Sequence, residues 1–255
     1  MDLGLKERVA LVTGSSQGIG RAAAVLLGRE GARVAVTYRD HRAEAEAVVD
    51  EIKRAGGQAL AVALELASVD SVQAAARTVL DAWGRIDVLV NNAVQWPSRP
   101  PWQAPPFEEL PSEEWRAQLR VNTEGPYAAI QAVLPSMRAR GWGRIVNVSS
   151  GVAVDGVPGT GPYAAAKASL HGLTRTLSKE LGPAGILVNV VMPGVTLTER
   201  MVAGLPPALR EQREQQSSIR RLLPPEEVVP TIVFLCSAVN TAVTGEIIRA
   251  SGGTT

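Results

Sequence analysis

Six short runs of β-branched and aliphatic residues, separated by longer Ala- and Leu-rich segments, restrict the fold more than any other feature. They are Val9–Val12, Val34–Val36, Ala59–Val62, Val88–Val90, Ile145–Val148 and Leu187–Val191. Near-continuous apolar runs of this length suit strands covered on both faces. Between them, helical spacing predicts helices over residues 18–29, 41–55, 69–83, 112–139 and 162–181. Gly31, Gly56, Gly57 and Gly84 stand at helix ends, where a left-handed cap is wanted. Strand and helix alternating, with right-handed crossovers, give an α/β fold. It is a doubly wound parallel sheet of about seven strands with helices on both faces. Ligands of such sheets bind beyond the carboxyl ends of the strands.

A chain of 255 residues accommodates this sheet as one catalytic domain, 1–255. Its 26 Lys and Arg against 25 Asp and Glu leave a net charge of +1, which excludes an electrostatic nucleic-acid binder. At 45% hydrophobic and 20% charged, it also excludes a disordered segment. The single Cys236 ends the apolar run Ile232–Cys236, so no disulfide framework exists and core packing is its expected role. Met1–Ala10 carries Asp2, Lys6, Glu7 and Arg8, and no apolar stretch of about 18 residues follows, so a cytoplasmic protein without a membrane partner is expected. No metal is expected either.

Two segments break the rhythm. Residues 95–111 hold six prolines with Trp96 and Trp102, a stiff loop expected to rim a site. Residues 195–225 read as a lid carrying a short polar helix near 208–218. Trp96, Trp102, Met201, Val202 and Leu205 are candidates for an apolar or aromatic pocket.

The first strand runs into Thr13-Gly14-Ser15-Ser16-Gln17-Gly18-Ile19-Gly20, and a strong helix former follows. Glycines permit a tight turn and close backbone approach, and the helix start offers N–H groups to a pyrophosphate. A P-loop is excluded, because Ile19 stands five places after Gly14 and no Gly-Lys-Ser/Thr occurs there. This strand–loop–helix unit is a Rossmann-type dinucleotide site. The second strand then ends Tyr38-Arg39-Asp40-His41-Arg42. Tyr38 takes the place of the acid that holds NAD ribose, and Arg39 can meet a 2′-phosphate bidentately, with His41 nearby. NADP(H) is the preferred cofactor. Asp40, with Arg42 as a possible partner, keeps NAD(H) as an alternative.

Ser149 and Ser150 close the fifth strand. Tyr163 follows Ser150 by thirteen residues and Lys167 lies four further on. A spacing of four places Tyr163 and Lys167 on one helix face, about 6 Å apart along the axis. A phenol titrates near pKa 10, so bringing it to neutrality takes about three units, or roughly 4 kcal/mol, which an ammonium and a cationic ring can supply.

Taken together, these motifs, with Asn91-Asn92-Ala93, Asn122, Pro193-Gly194 and Gly252-Gly253, resemble the classical branch of the short-chain dehydrogenase/reductase family. The resemblance runs from Lys6 to Gly253 and is nearest to 3-oxoacyl-carrier-protein reductase-like members. It implies that Ser150 holds the substrate oxygen, Tyr163 is the acid/base, and Lys167 binds nicotinamide ribose and lowers the Tyr163 pKa. Asn122 is implied to support a water in a proton relay. Glu65 and Leu66 would lie near adenine, with Asn91, Asn92 and Ala93 along the adenosine half. Pro193, Gly194, Thr196 and Thr198 would meet the nicotinamide.

The chain departs from the family pattern at Val94, where glycine is usual, and at Glu65, where aspartate is usual. The loop after Val94 is longer, and Arg249-Ala250-Ser251 precedes Gly252. The implied activity is hydride transfer between NADP(H) and a small-molecule ketone or secondary alcohol. The alternatives are an NAD-dependent sugar or steroid dehydrogenase and a non-catalytic dinucleotide-binding regulator. Enoyl reduction is disfavoured, because those relatives separate tyrosine and lysine by six residues. An acyl carrier protein is a possible partner, with Arg138, Arg140 and Arg144 as docking candidates, although Pro183-Ala184 lacks a basic residue found in fatty-acid members. Family members pair into homodimers or homotetramers through the helices near 112–139 and 162–181.

Overall fold

The computed structural model describes residues 2–254. Its strands are β1 (Val9–Val12), β2 (Arg33–Tyr38), β3 (Gln58–Ala63), β4 (Val88–Asn91), β5 (Gly143–Val148), β6 (Ile186–Pro193) and β7 (Ile247–Ala250). They form one parallel sheet in the order β3-β2-β1-β4-β5-β6-β7. The helices are α1 (Gly18–Arg29), α2 (Arg42–Arg54), α3 (Val69–Trp83), α4 (Ser112–Leu119) and α5 (Gly125–Arg140). They continue with α6 (Val152–Asp155), α7 (Gly161–Leu181), α8 (Glu199–Gly204), α9 (Pro207–Gln216) and α10 (Pro225–Cys236). The expected doubly wound fold is what the chain forms. Met1 and Thr255, the ends of the expected 1–255 domain, lie outside the described residues.

The pleat divides each strand between two cores, as alternation of side chains requires. Ala10, Val12, Val34 and Val36 face one core with α1, α2 and α10; Val9, Leu11 and Ala35 face the other with α3 and α5. Both faces are dry, which is why the runs are apolar throughout. Gly84 closes α3 in the left-handed region at φ 71°, its N–H donating to Leu80 O at 2.7 Å. Gly31 and Gly56 also have positive φ, as their positions at helix ends predict.

Four features depart from the sequence reading. The helix predicted over 112–139 is broken by a π turn at Arg120–Glu124, between α4 and α5. Such a turn adds a residue without ending the helix, so a 3.6-residue period conceals it. Second, the apolar run ending in Cys236 forms a helix absent from the sequence reading, α10, which begins on Pro225 and packs against α1, and the thiol is buried in the core as expected. Third, β7 is an edge strand, half-buried along its length, and leaves little apolar signature.

The fourth departure is Arg144, a docking candidate that the structure buries to 4% exposure. Its guanidinium donates to the carbonyls of Gly143, Gly185, Ser237 and Asn240 and stacks on Trp142 at 4.3 Å. Burial, with Arg8 nearby, pulls its pKa down to about 10. It braces the amino-terminal end of β5 and cannot meet a partner protein. Among the described residues no helix is long and apolar enough to cross a membrane, and no His, Cys, Asp or Glu cluster is arranged for a metal.

Candidate active site

The strand order reverses between β1 and β4, and the glycine loop lies at their carboxyl ends. Thr13 Oγ1 donates to Val90 O at 3.3 Å and accepts the N–H groups of Asn92 and Ala93 at 2.9 and 3.0 Å. Asn92 Nδ2 donates to Thr13 O and Gly14 O, both at 3.0 Å. The N–H of Gly14 donates to Thr37 Oγ1 at 2.9 Å. These bonds tie three strands to the loop. Sequence reasoning missed Thr13 and Thr37 as its anchors, because each acts through partners distant in the chain.

Space is equally constrained. A Cβ on Gly14 would lie 2.8 Å from Ala93 Cα, and one on Gly20 would lie 2.3 Å from Gly14 O. A Cβ on Gly18 would come within 3.2 Å of Thr198 Cγ2. Ser16 is buried, whereas Gln17 at the N-cap of α1 is exposed and makes no side-chain cap bond. Ile19, in the first turn of α1, is half-buried against the core. A bare backbone turn leading into a helix start fits a pyrophosphate.

At the end of β2, Tyr38 is half-buried and Arg39 is 54% exposed. Arg39 Nε donates to Asp40 Oδ2 at 2.7 Å and lies 3.6 Å from Glu65 Oε2. Arg42 pairs with Glu46 rather than Asp40. Glu65 Oε1 accepts the N–H of Ala67, and Leu66 is buried where a Cβ on Gly125 would touch it. Asn91 lies apart from the loop. It is buried and donates to Asn147 Oδ1, whose own amide donates to Thr174.

Ser150 follows β5, and Tyr163 and Lys167 lie in the first turns of α7. Burial pushes the Tyr163 pKa up to about 12, and the neighbouring Ser150 hydroxyl opposes that rise. Lys167 Nζ donates to Val148 O at 2.9 Å, and burial pulls its pKa down to about 8. The pair is therefore a protonated phenol and a destabilised ammonium. Asn122, in the π turn, is fully buried and grips the backbone of Gln95. Its Oδ1 accepts from Gln95 N and its Nδ2 donates to Gln95 O, both at 2.9 Å. It thereby anchors the proline-rich loop.

One contact has no sequence signal. Ser149 Oγ bonds His171 Nε2 at 2.8 Å and donates to Lys167 O at 3.1 Å, fixing the first turns of α7 to the end of β5. On the far side, Pro193 ends β6 and Gly194 follows it. Thr196 donates to Gly194 O, and Thr198 caps α8 by accepting from Met201 N at 3.3 Å. Of the pocket candidates, Trp96 reaches Tyr163, whereas Trp102 and Val202 are exposed.

The Lys167 shift has a consequence for folding. Its folded pKa of about 8 lies below the model-peptide value of 10.5. Between those values the unfolded chain binds more protons, so stability rises with pH. Relative to Lys167→Met, wild type should gain about 2 kcal/mol between about pH 7.5 and about pH 9.5. Urea unfolding at both pH values checks this, and a pH-independent difference would contradict the buried ammonium.

A family model described as Enoyl-(Acyl carrier protein) reductase matches residues 14–255. The 3-oxoacyl-[acyl-carrier-protein] reductase FabG of Aquifex aeolicus is 37% identical over 254 residues, covering 99% of this chain and 99% of that protein. The enzyme of the same name from Staphylococcus epidermidis is 36% identical over 244 residues, covering 96% and 97%. Among solved structures, a 7α-hydroxysteroid dehydrogenase complexed with NADH and 7-oxo glycochenodeoxycholic acid matches at a TM-score of 0.92 and 31% identity, covering 100% of this chain and 96% of that one. The chain belongs to the short-chain dehydrogenase/reductase family of oxidoreductases.

Proposed function

We propose that this protein is an NADP(H)-dependent reductase of ketones, acting through one catalytic domain with residues 195–225 as its lid. The observation that carries this reading is the neighbouring hydroxyls of Ser150 and Tyr163, with the buried Lys167 one helical turn further along α7. A phenol held near pKa 12 is protonated at neutral pH, so it is a proton donor, the form that ketone reduction requires. With the pyrophosphate of a dinucleotide at the glycine cradle, its nicotinamide would supply the hydride. Ser150 holds the substrate oxygen, Tyr163 gives it a proton, and Lys167 holds the ribose. Asn122 keeps the loop over this group in place.

The description of the matching family as enoyl reductases does not redirect the chemistry, because only three residues lie between Tyr163 and Lys167 here. The FabG relatives support 3-oxoacyl substrates carried on an acyl carrier protein. With Arg144 buried, Arg138 and Arg140 remain as its docking residues. Self-association through α4, α5 and α7 is supported by exposed Trp115 and Tyr127.

Arg39 carries the NADP assignment, since only its Nε is engaged by Asp40 and its two terminal nitrogens can fork onto a phosphate. The second reading, an NAD-dependent steroid dehydrogenase, is favoured by the carboxylates of Asp40 and Glu65 beside it and by the NADH in the steroid-dehydrogenase complex. Binding of NADPH and NADH, measured by fluorescence, decides. Wild type should prefer NADPH, and Arg39→Ala should reduce that preference about tenfold or more, the loss of one charge-assisted pair. An unchanged preference removes Arg39 from the cofactor site.

A further inference from the structure

Ser150 is held firmly on one side. Ser149 donates its N–H to Val191 O at 2.8 Å and its hydroxyl bonds His171 and Lys167 O, so the chain enters Ser150 from a fixed strand end. On the other side it leaves into α6, a single turn with no buried side chain. Ser150 itself starts that turn: its carbonyl accepts from Ala153 N at 3.1 Å and its Oγ from Val152 N at 3.4 Å. Any shift of α6 therefore carries the Ser150 hydroxyl with it.

Asp155, the only polar side chain of α6, ties the far end of the turn to the sheet. Arg249 of β7 grips its carboxylate with two prongs, Nη1 donating to Oδ2 at 2.7 Å and Nη2 to Oδ1 at 2.8 Å. Two N–H bonds from one planar guanidinium fix orientation as well as distance, which a point charge cannot do. The guanidinium is anchored behind as well, since Nη1 also donates to Thr254 O at 3.1 Å. Thr254 Oγ1 in turn donates to Ser251 O at 2.6 Å, and Ser217 and Ser218 donate to the carbonyls of Gly252 and Gly253. Gly151 leaves the carboxylate its place, because a Cβ there would stand 3.2 Å from Asp155 Oδ2. Arg249 lies in the stretch where the sequence departs from the family pattern, and neither the glycine cradle nor the Tyr163 and Lys167 pair uses it.

We propose that Arg249 is a positioning residue, which holds Ser150 in register with Tyr163 through Asp155 and α6. The role rests on the ketone-reductase reading, in which Ser150 holds the substrate oxygen. Both partners are partly open to water, so the pair adds little to global stability. Its effect is geometric: displacing a group that holds the reacting oxygen by about 1 Å can cost up to about a hundredfold in rate.

The test compares Arg249→Leu and Asp155→Asn, singly and combined, with the wild-type full chain. In the reduction of acetoacetyl-CoA, a 3-oxoacyl thioester, by NADPH, Arg249→Leu should lose about tenfold in kcat while the NADPH dissociation constant stays as it is. Asp155→Asn should lose most of that factor, and the double variant should be no slower than Arg249→Leu, as two residues acting through one contact require. Arg249→Lys, which keeps the charge but not the fork, should recover only part of the rate. Losses that multiply in the double variant, or a kcat that survives Arg249→Leu, overturn the proposal.

Amide hydrogen exchange separates the proposal from the reading beneath it, because it needs no turnover. In Arg249→Leu the N–H groups of Ala153, Val154 and Asp155, which close α6, should exchange about fivefold faster, the scale of an ion pair partly open to water, while those of α7 keep their wild-type rates. Unchanged exchange in α6 refutes the clamp. Equal acceleration throughout α7 makes Arg249 a general stability residue and also refutes it. Should wild type reduce neither acetoacetyl-CoA nor cyclohexanone, faster exchange confined to α6 would keep the clamp, and the ketone-reductase reading alone would fall.

Discussion

Tyr163→Phe is expected to lower kcat for ketone reduction by about a thousandfold, in the middle of the range for a positioned general acid, while the dinucleotide dissociation constant changes less than about threefold. The reason is what phenylalanine keeps. The ring still fills its place in α7 and still stacks under Trp96, so neither the helix nor the loop has cause to move. What disappears is one hydroxyl, the partner of Ser150 and the nearest proton donor to a carbonyl held there. Ser150 stands in a partly buried position, so losing that partner costs stability no more than about 1.5 kcal/mol. Steady-state kinetics and cofactor fluorescence titration on the same preparation make the measurement. A variant that retained a tenth of the activity would move the acid/base role to another group.

The parts of this site that were legible in the sequence are those whose chemistry is local. Gly14, Gly18 and Gly20 stand between a strand and a helix within one short segment, and Tyr163 and Lys167 share one helix face, so spacing alone identifies them. Arg144 shows the opposite case. Close to Arg138 and Arg140 near a helix end, it reads in the sequence as one of three docking cations. Its meaning depends on carbonyls at Gly185, Ser237 and Asn240, brought together only when the sheet and α10 pack.

Asn122 is intermediate. Its identity was legible from its place in the pattern, but the π turn that aims it at Gln95 has no residue signature. Lys167 Nζ gives one N–H to Val148 O and keeps two others for a ribose, while burial and Ser150 act on the Tyr163 pKa in opposite directions. Apolar runs reveal the strands that are deeply buried and miss β7, which is only half-buried at all four of its positions and carries Arg249 among them.

The glycine cradle carries the second large expected effect. Gly20 is not in the left-handed region, so the backbone would accept any residue there; contact is what forbids one. A Cβ would stand 2.3 Å from Gly14 O and 2.4 Å from Asn92 Nδ2. Neither neighbour is free to yield. Gly14 is fixed by Thr37 through its N–H, and Asn92 holds both the Thr13 and Gly14 carbonyls. Gly20→Val must therefore push α1 away from the loop and break at least one of the bonds that shape it.

We expect dinucleotide affinity to fall about a hundredfold or more and stability to fall by about 1–3 kcal/mol, the usual cost of overfilling a packed site. Gly172→Ala provides the contrast. It lies on the exposed side of α7 with nothing within 4 Å of an added Cβ, so alanine there should stabilise by roughly 0.5–1 kcal/mol through helix propensity and leave cofactor binding as it is. Should Gly20→Val bind dinucleotide as wild type does while unfolding at the same urea concentration, the close approach of α1 to the β1 loop would not be what shapes the cofactor site.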